Sequence, residues 1–253
     1  FAALAENIRN GFEKRFYQPA SFTYGGGRQT TSILPLAFNL APAANRAAIA
    51  NALRQRIEGH DRKHLDTGIF GTRYLFEVLI DHGFTDLAYQ VLTAPGYPGF
   101  VDQINQGATT TWEQWSFRGS MQTHNHAMFA GADATFFSHF GGIRAAVPGF
   151  REIEIQPAYS TGLSSVDCSR ETPLGQVASH WSRQADHLTL TVHIPVGATA
   201  RIHLPVSTGT ILESGGPLEK AAGVLAVTTE QGHPVVTVGS GTYEFTAPLI
   251  KNP

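Results

Sequence analysis

The chain has 253 residues, and its 18 Lys and Arg against 20 Asp and Glu leave a formal charge of −2. That near-balance excludes the basic surface a nucleic acid or an anionic membrane would require, and no apolar run is long enough to cross a bilayer. One cysteine, Cys168, excludes an internal disulfide while leaving the compartment open.

In chain order, the first half reads as helices. Phe1 to Phe16 carries Leu4, Ile8 and Phe12 at helical spacing. Ile33, Leu36, Phe38 and Leu40 mark a second helix, in which Pro35 is tolerable only within the first turn. Ala44 to Glu58 follows, with Ile49, Leu53 and Ile57 on one face and Gly59 at its end. Tyr74 to His82 and Thr85 to Leu92 are separated by Gly83 and stopped by Pro95. A last helix is expected from about Thr123 to Phe140, ending at Gly141-Gly142. Short connections make these about six paired helices. The scarcity of charge on Ile33 to Leu40 and Ala127 to Phe137 predicts packing on more than one side.

After Val147-Pro148-Gly149 the period becomes two. Ile153 and Ile155 alternate with acids, Leu188, Leu190, Val192 and Ile194 with polar residues, and Ala200, Ile202 and Leu204 continue the pattern. Shorter strands are expected near Ile211, Val224 to Val227, Val235 to Val238 and Tyr243 to Phe245, with turn signals at Pro173, Gly197, Gly215-Gly216, Gly232 and Gly239 to Gly241. The fold class is therefore α+β multidomain, with helical hairpins over residues 1–143 and an antiparallel β-sandwich over 144–253.

Gln106 to Trp115, Gln-Gly-Ala-Thr-Thr-Thr-Trp-Glu-Gln-Trp, is the stretch that carries chemistry. It sets one carboxylate, Glu113, between Trp112 and Trp115, as a carbohydrate site needs: rings for the apolar faces of a sugar and a shielded acid for proton transfer. The competing reading is a capping box, Thr110-x-x-Glu113, in which the glutamate returns to a backbone amide and does no chemistry. From the residues alone these two stand about even. His124 and His126 on a helix would point apart, so no metal is expected, and no cofactor is implied. His60 and His64 read as solvated, Gly25-Gly26-Gly27 lacks the Lys-Ser/Thr of a phosphate loop, and Trp181 reads as structural.

Several stretches together resemble the α-L-rhamnosidases of glycoside hydrolase family 78. They are Thr67-Gly-Ile-Phe-Gly-Thr-Arg-Tyr-Leu75, Thr85-Asp-Leu-Ala-Tyr-Gln-Val-Leu92, Gly107-Ala-Thr-Thr-Thr-Trp-Glu-Gln-Trp115 and Asn125-His126. The junction Gly142-Ile-Arg144, Pro148-Gly-Phe150 and Ile153-Glu-Ile-Gln-Pro157 is similar to that family's passage from barrel to sandwich. The resemblance runs from about Gln29 to Pro205. It implies part of a six-hairpin (α/α) barrel followed by a β-sandwich, and inverting hydrolysis of terminal α-L-rhamnosides. Glu113 takes the place of the general base. His126 takes that of a sugar contact, with Asn125 beside it. Of the substrate-binding candidates Trp112 and Trp115 that flank Glu113, one is expected to stack on the sugar, Trp112 before Trp115. Ala127 stands where many members carry an aromatic residue.

A closed barrel of this kind needs about twelve helices, and this chain supplies about half. The resemblance therefore places the general acid on an upstream segment of the same protein or on a companion chain. The expected partners are that segment and a rhamnose-containing carbohydrate, with no nucleic acid and no membrane. Two other readings stand beside hydrolysis: a related enzyme with lyase chemistry or another sugar specificity, and a carbohydrate-binding fragment without turnover.

Overall fold

The structure, a computed structural model, describes residues 1–116, 123–184, 187–205 and 210–248. It divides into two compact units, Phe1–Asp133 and Ala134–Pro253. Among the described residues no helix is long and apolar enough to cross a membrane.

The first unit is helical. It contains α1 (Ala2–Phe16), a two-residue ribbon of β1 (Tyr17–Gln18) and β2 (Thr23–Tyr24), α2 (Gln29–Ala37), α3 (Arg46–Glu58), α4 (Ile69–Asp81), α5 (Thr85–Leu92) and α6 (Phe100–Asn105). The apolar stripes meet where the periodicity demands: Ile33 and Leu36 of α2, Ile49, Leu53 and Ile57 of α3, Leu75 and Leu79 of α4 and Val91 of α5 share one core. By contrast α1 buries no residue, and Leu4 and Ile8 stay exposed.

Four helices depart from the sequence reading. α4 starts at Ile69 rather than Tyr74, and α6 falls in a stretch to which the periodicity assigns no helix. α2 begins at Gln29 and ends at Ala37, so Pro35 lies near its C-terminal end rather than in its first turn. The ring removes the N–H that would have bonded Thr31, and the helix stops two residues later, the Pro35 carbonyl accepting from the Leu40 amide at 2.9 Å. The early start has its own cause. Gln29 is fully buried, and its Nε2 donates to Asp61 Oδ2 at 2.9 Å and to the His64 carbonyl at 2.8 Å. The helix expected from Thr123 to Phe140 begins only at Ala127. It runs as a 3-10 segment to Ala132, a short α7 (Asp133–Thr135) and a π turn over Phe136–Phe140. His124 and His126 therefore stand outside any helix, and His126 is extended, with φ −122° and ψ 102°.

The second unit is a sandwich of two sheets. One orders as β10-β9-β13-β7-β6-β5 and the other as β11-β12-β8-β4-β3. The strands are β3 (Ile143–Ala145), β4 (Glu152–Ile155), β5 (Ser165–Thr172), β6 (Gly175–Arg183), β7 (His187–Ile194), β8 (Thr199–His203), β9 (Leu212–Glu213), β10 (Gly216–Pro217), β11 (Val224–Glu230), β12 (His233–Val238) and β13 (Gly241–Pro248). All pairs are antiparallel except β4 with β8, which run parallel with Ile155 opposite Ile202. The alternating residues read from the sequence, Ile153 and Ile155, Leu188 to Ile194, Ala200 and Ile202, line the interior.

β5 and β6 escape periodicity. β5 offers only Val166 and Cys168 as apolar residues, and β6 places the buried Ser179 between Val177 and Trp181 on the inner face. Pairing across the Pro173 turn makes them strands.

The division at Asp133/Ala134 lies ten residues before the 143/144 boundary expected from composition. The reason is local. Trp181, fully buried, donates its indole N–H to the Phe140 carbonyl at 2.9 Å, and the Ala158 amide donates to His139 at 2.8 Å. Residues 134–142 thus belong by contact to the sheets.

Gly142 shows why that passage needs glycine: its φ is +73°, and a Cβ there would collide with the backbone of Gln156 and Pro157. Gly142→Ala should lower stability by about 2 kcal/mol or more, read from urea denaturation followed by circular dichroism. Cys168 is buried, and burial pushes its thiol pKa up. The raised pKa keeps the neutral thiol dominant as pH climbs through about 8, so native protein should react slowly with a thiol reagent there and react fully once denatured.

Candidate active site

The carboxylate-bearing stretch leaves α6 through Gly107, whose positive φ turns the chain, and the Ala108 amide bonds back to the Gln103 carbonyl at 3.0 Å. Gln103, itself buried, donates its side-chain N–H to the Gln114 carbonyl at 3.0 Å. From Ala108 to Ser116 the backbone is neither helix nor strand. Lacking a ladder of its own, this segment finds partners in Thr123–His126.

The two segments clasp each other. The His126 amide donates to the Thr111 carbonyl at 2.8 Å, and the Thr111 hydroxyl donates to the His126 carbonyl at 2.8 Å. The Thr110 hydroxyl donates to the His124 carbonyl. The Glu113 amide donates to the Thr123 carbonyl at 3.3 Å, and the Thr123 amide donates to Glu113 Oε2 at 3.1 Å. Asn125 joins through its backbone, its amide donating to the Thr123 hydroxyl at 3.1 Å.

No helix starts at Thr110, and the amide that meets the Glu113 carboxylate is Thr123, across the clasp. The capping-box geometry, in which the glutamate would reach back to the Thr110 amide, is absent from the described residues. The Thr110 and Thr111 hydroxyls both donate to the backbone of the facing segment.

The two tryptophans separate. Trp115 is 9% exposed and lies in the helical core, its Nε1–H donating to the Thr67 carbonyl at 2.7 Å and its ring 4.3 Å from Phe129 and 5.1 Å from Phe100. Trp112 is 3% exposed and meets His124 edge to face at 5.5 Å. Neither indole offers an open face in this structure. His126 is half-buried, with Nδ1 shielded and without a hydrogen-bond partner. Glu113 is half-buried and the Asn125 side chain exposed.

Thr67, Gln103, Thr123 and Phe129 also shape the site, through a carbonyl, a side-chain amide, a backbone amide and a packed ring whose partners are set by tertiary contact. The only sign of them legible in the sequence was the hydroxyl run itself. Among the described residues no group of three His, Cys, Asp or Glu side chains is arranged to hold a metal ion.

Paired helices leading to a loop-borne carboxylate, with a two-sheet unit behind them in sequence, define the six-hairpin glycosidase class. The chain matches the bacterial alpha-L-rhamnosidase 6 hairpin glycosidase domain over residues 1–140 and the bacterial alpha-L-rhamnosidase C-terminal domain over 142–218. It belongs to that family.

An alpha-L-rhamnosidase of Formosa agariphila is 30% identical over 98% of this chain and 28% of its own length. One from Streptomyces avermitilis is 30% identical over 97% of this chain and 24% of its own. The solved alpha-L-rhamnosidase of Dictyoglumus thermophilum superposes with a TM-score of 0.89 at 30% identity, over 97% of this chain and 28% of that one. The Streptomyces avermitilis enzyme, solved with L-rhamnose, gives 0.86 at 29%, over 97% and 24%. The chain thus spans about a quarter of the length of these relatives.

Trp115→Phe keeps the ring in the core but removes the donor to Thr67. It should cost about 1–2 kcal/mol in denaturation while leaving KM within about twofold. A large rise in KM at unchanged stability would instead make this indole a substrate surface.

Proposed function

We propose that this chain is the C-terminal part of an inverting α-L-rhamnosidase, with Glu113 as the general base. The observation that carries the reading is the Thr123 amide bonded to the Glu113 carboxylate, in a loop that also sets the unpartnered His126 Nδ1 on the facing segment. A carboxylate oriented by a backbone donor is suited to take a proton from an attacking water. A shielded imidazole nitrogen without a partner is suited to a sugar hydroxyl. Membership of the family supports the rhamnoside class, and the Streptomyces avermitilis relative was solved with L-rhamnose bound.

In this mechanism Glu113 removes a proton from water as its oxygen attacks the anomeric carbon. An acid from a segment outside this chain protonates the leaving oxygen on the opposite face. Inversion requires the two carboxyl groups about 6.5–9.5 Å apart, so that the water fits between base and sugar. His126 and Asn125 hold the sugar. Trp112 backs His124, and Trp115 anchors the loop in the core.

The test is Glu113→Gln in the full-length protein, assayed on an aryl α-L-rhamnoside. The amide keeps the shape and the bond from Thr123 but cannot take up the proton. Turnover should fall about 10²–10⁴-fold with an unchanged melting curve. Near-normal turnover would remove Glu113 from the chemistry. Proton NMR of the first-formed product should show rhamnose of inverted anomeric configuration, whereas an unsaturated uronate would mean elimination.

A further inference from the structure

The sandwich carries a cleft of about 410 Å³ that the chemistry above does not use. It opens at the end of the five-stranded sheet, where the parallel strands β4 and β8 both leave the sheet and the β11–β12 hairpin turns. Two chains departing from one end of a parallel pair leave a crevice between them.

Pro157, Tyr159 and Leu204 form an uncharged wall. Tyr159 is held rigidly, its ring 5.1 Å from the fully buried Trp181 and nearly perpendicular to it. Around them stand Gln156, His203, Glu230 and His233. His203 is oriented by its Nε2 bond to Glu154, which leaves Nδ1 as an acceptor in the neutral ring. Arg201 is shared between Glu154, at 2.8 Å, and Glu230.

Those pairings decide the ligand. Arg201 is already matched by two carboxylates, so its guanidinium is not free for a phosphate or sulfate. The same pairings commit Glu154 and Glu230, which disfavours a divalent ion. Gln156 Oε1 already accepts from Arg144 and His203 Nε2 is held by Glu154, but a wholly apolar ligand would leave the Gln156 amide N–H and the His233 ring unmatched. A neutral polyol fits: its C–H face against Tyr159 and the prolines, its hydroxyls on mixed donors and acceptors already oriented.

We propose that this cleft is a second, non-catalytic carbohydrate-binding site, carried by the sandwich itself, that takes a rhamnose-bearing glycan. The choice of a rhamnose-bearing chain rests on the function proposed above, while the carbohydrate class rests on the cleft. His233 is exposed at the hairpin and makes no side-chain bond within the described residues, so His233→Ala should leave the fold intact.

The experiment uses the full-length protein and its His233→Ala and Gln156→Ala variants, with rhamnogalacturonan oligosaccharides and an aryl α-L-rhamnoside as parallel substrates. The expected result is a rise in KM of about tenfold for the oligosaccharide, with kcat/KM for the aryl glycoside unchanged. Equal KM for the parent and both variants on the oligosaccharide, or a parallel loss on both substrates, overturns the proposal. Affinity electrophoresis in a rhamnogalacturonan gel reads binding without turnover, so it still tests the cleft if the hydrolytic assignment fails. Retardation of the parent protein relieved in both variants supports the proposal, and identical mobility refutes it. Protection of His233 from diethyl pyrocarbonate in the ligand-free full-length protein would mean that another domain fills the cleft, which also overturns it.

Discussion

Glu113 and His126 come together because two irregular segments satisfy each other's backbone groups, partly through threonine hydroxyls and the carboxylate itself, and that is the constraint on which the candidate site depends. The loop Ala108–Ser116 has no ladder to satisfy its amides and carbonyls, and Thr123–His126 is equally irregular. Each segment supplies what the other lacks: Thr111 and His126 exchange bonds in both directions, and Glu113 and Thr123 do the same with one side-chain oxygen included. Because one member of the exchange is the carboxylate itself, satisfying the backbone also aims the acid. For the general-base role proposed for Glu113, such orientation by bonds formed on folding is preorganisation.

Beneath the clasp, packing fixes both ends of the loop. Trp115 follows the carboxylate and Phe129 follows the histidine, and their rings meet at 4.3 Å in the helical core. The indole N–H on the Thr67 carbonyl and the Gln103 amide on the Gln114 carbonyl set the depth of the first segment. A buried aromatic pair of this kind contributes about 0.5–1.5 kcal/mol beyond its area. Its greater consequence here is geometric, since a shift of either ring would carry its neighbour in sequence, Glu113 or His126, with it.

The sandwich follows the same rule in another form. Trp181 is wholly buried and still needs a partner for its N–H, which the Phe140 carbonyl at the end of the π turn provides. Together with the Ala158 amide on the His139 carbonyl, that bond ties the last helical residues to the second unit. These contacts are why composition, which puts the boundary at 143/144, and contact, which puts it at Asp133/Ala134, divide the chain at different places.

Periodicity determined much by itself. The apolar stripes of α3 and α5 and the alternation along β4, β7 and β8 are properties of neighbouring residues, and each buries the residues its pattern marks. The motif order around Glu113 and His126 likewise pointed to the family from residues alone. Tertiary structure decided what depends on distant partners. Pro35 sits late in α2 because Gln29 binds Asp61, β5 and β6 are strands because they pair, and Trp115 is a core ring because Thr67 and Phe129 receive it. A carboxylate flanked by tryptophans can be seen in a string of letters. Which indole faces the core, and which amide meets the acid, follow from bonds between residues far apart in that string, and only the folded chain brings those together.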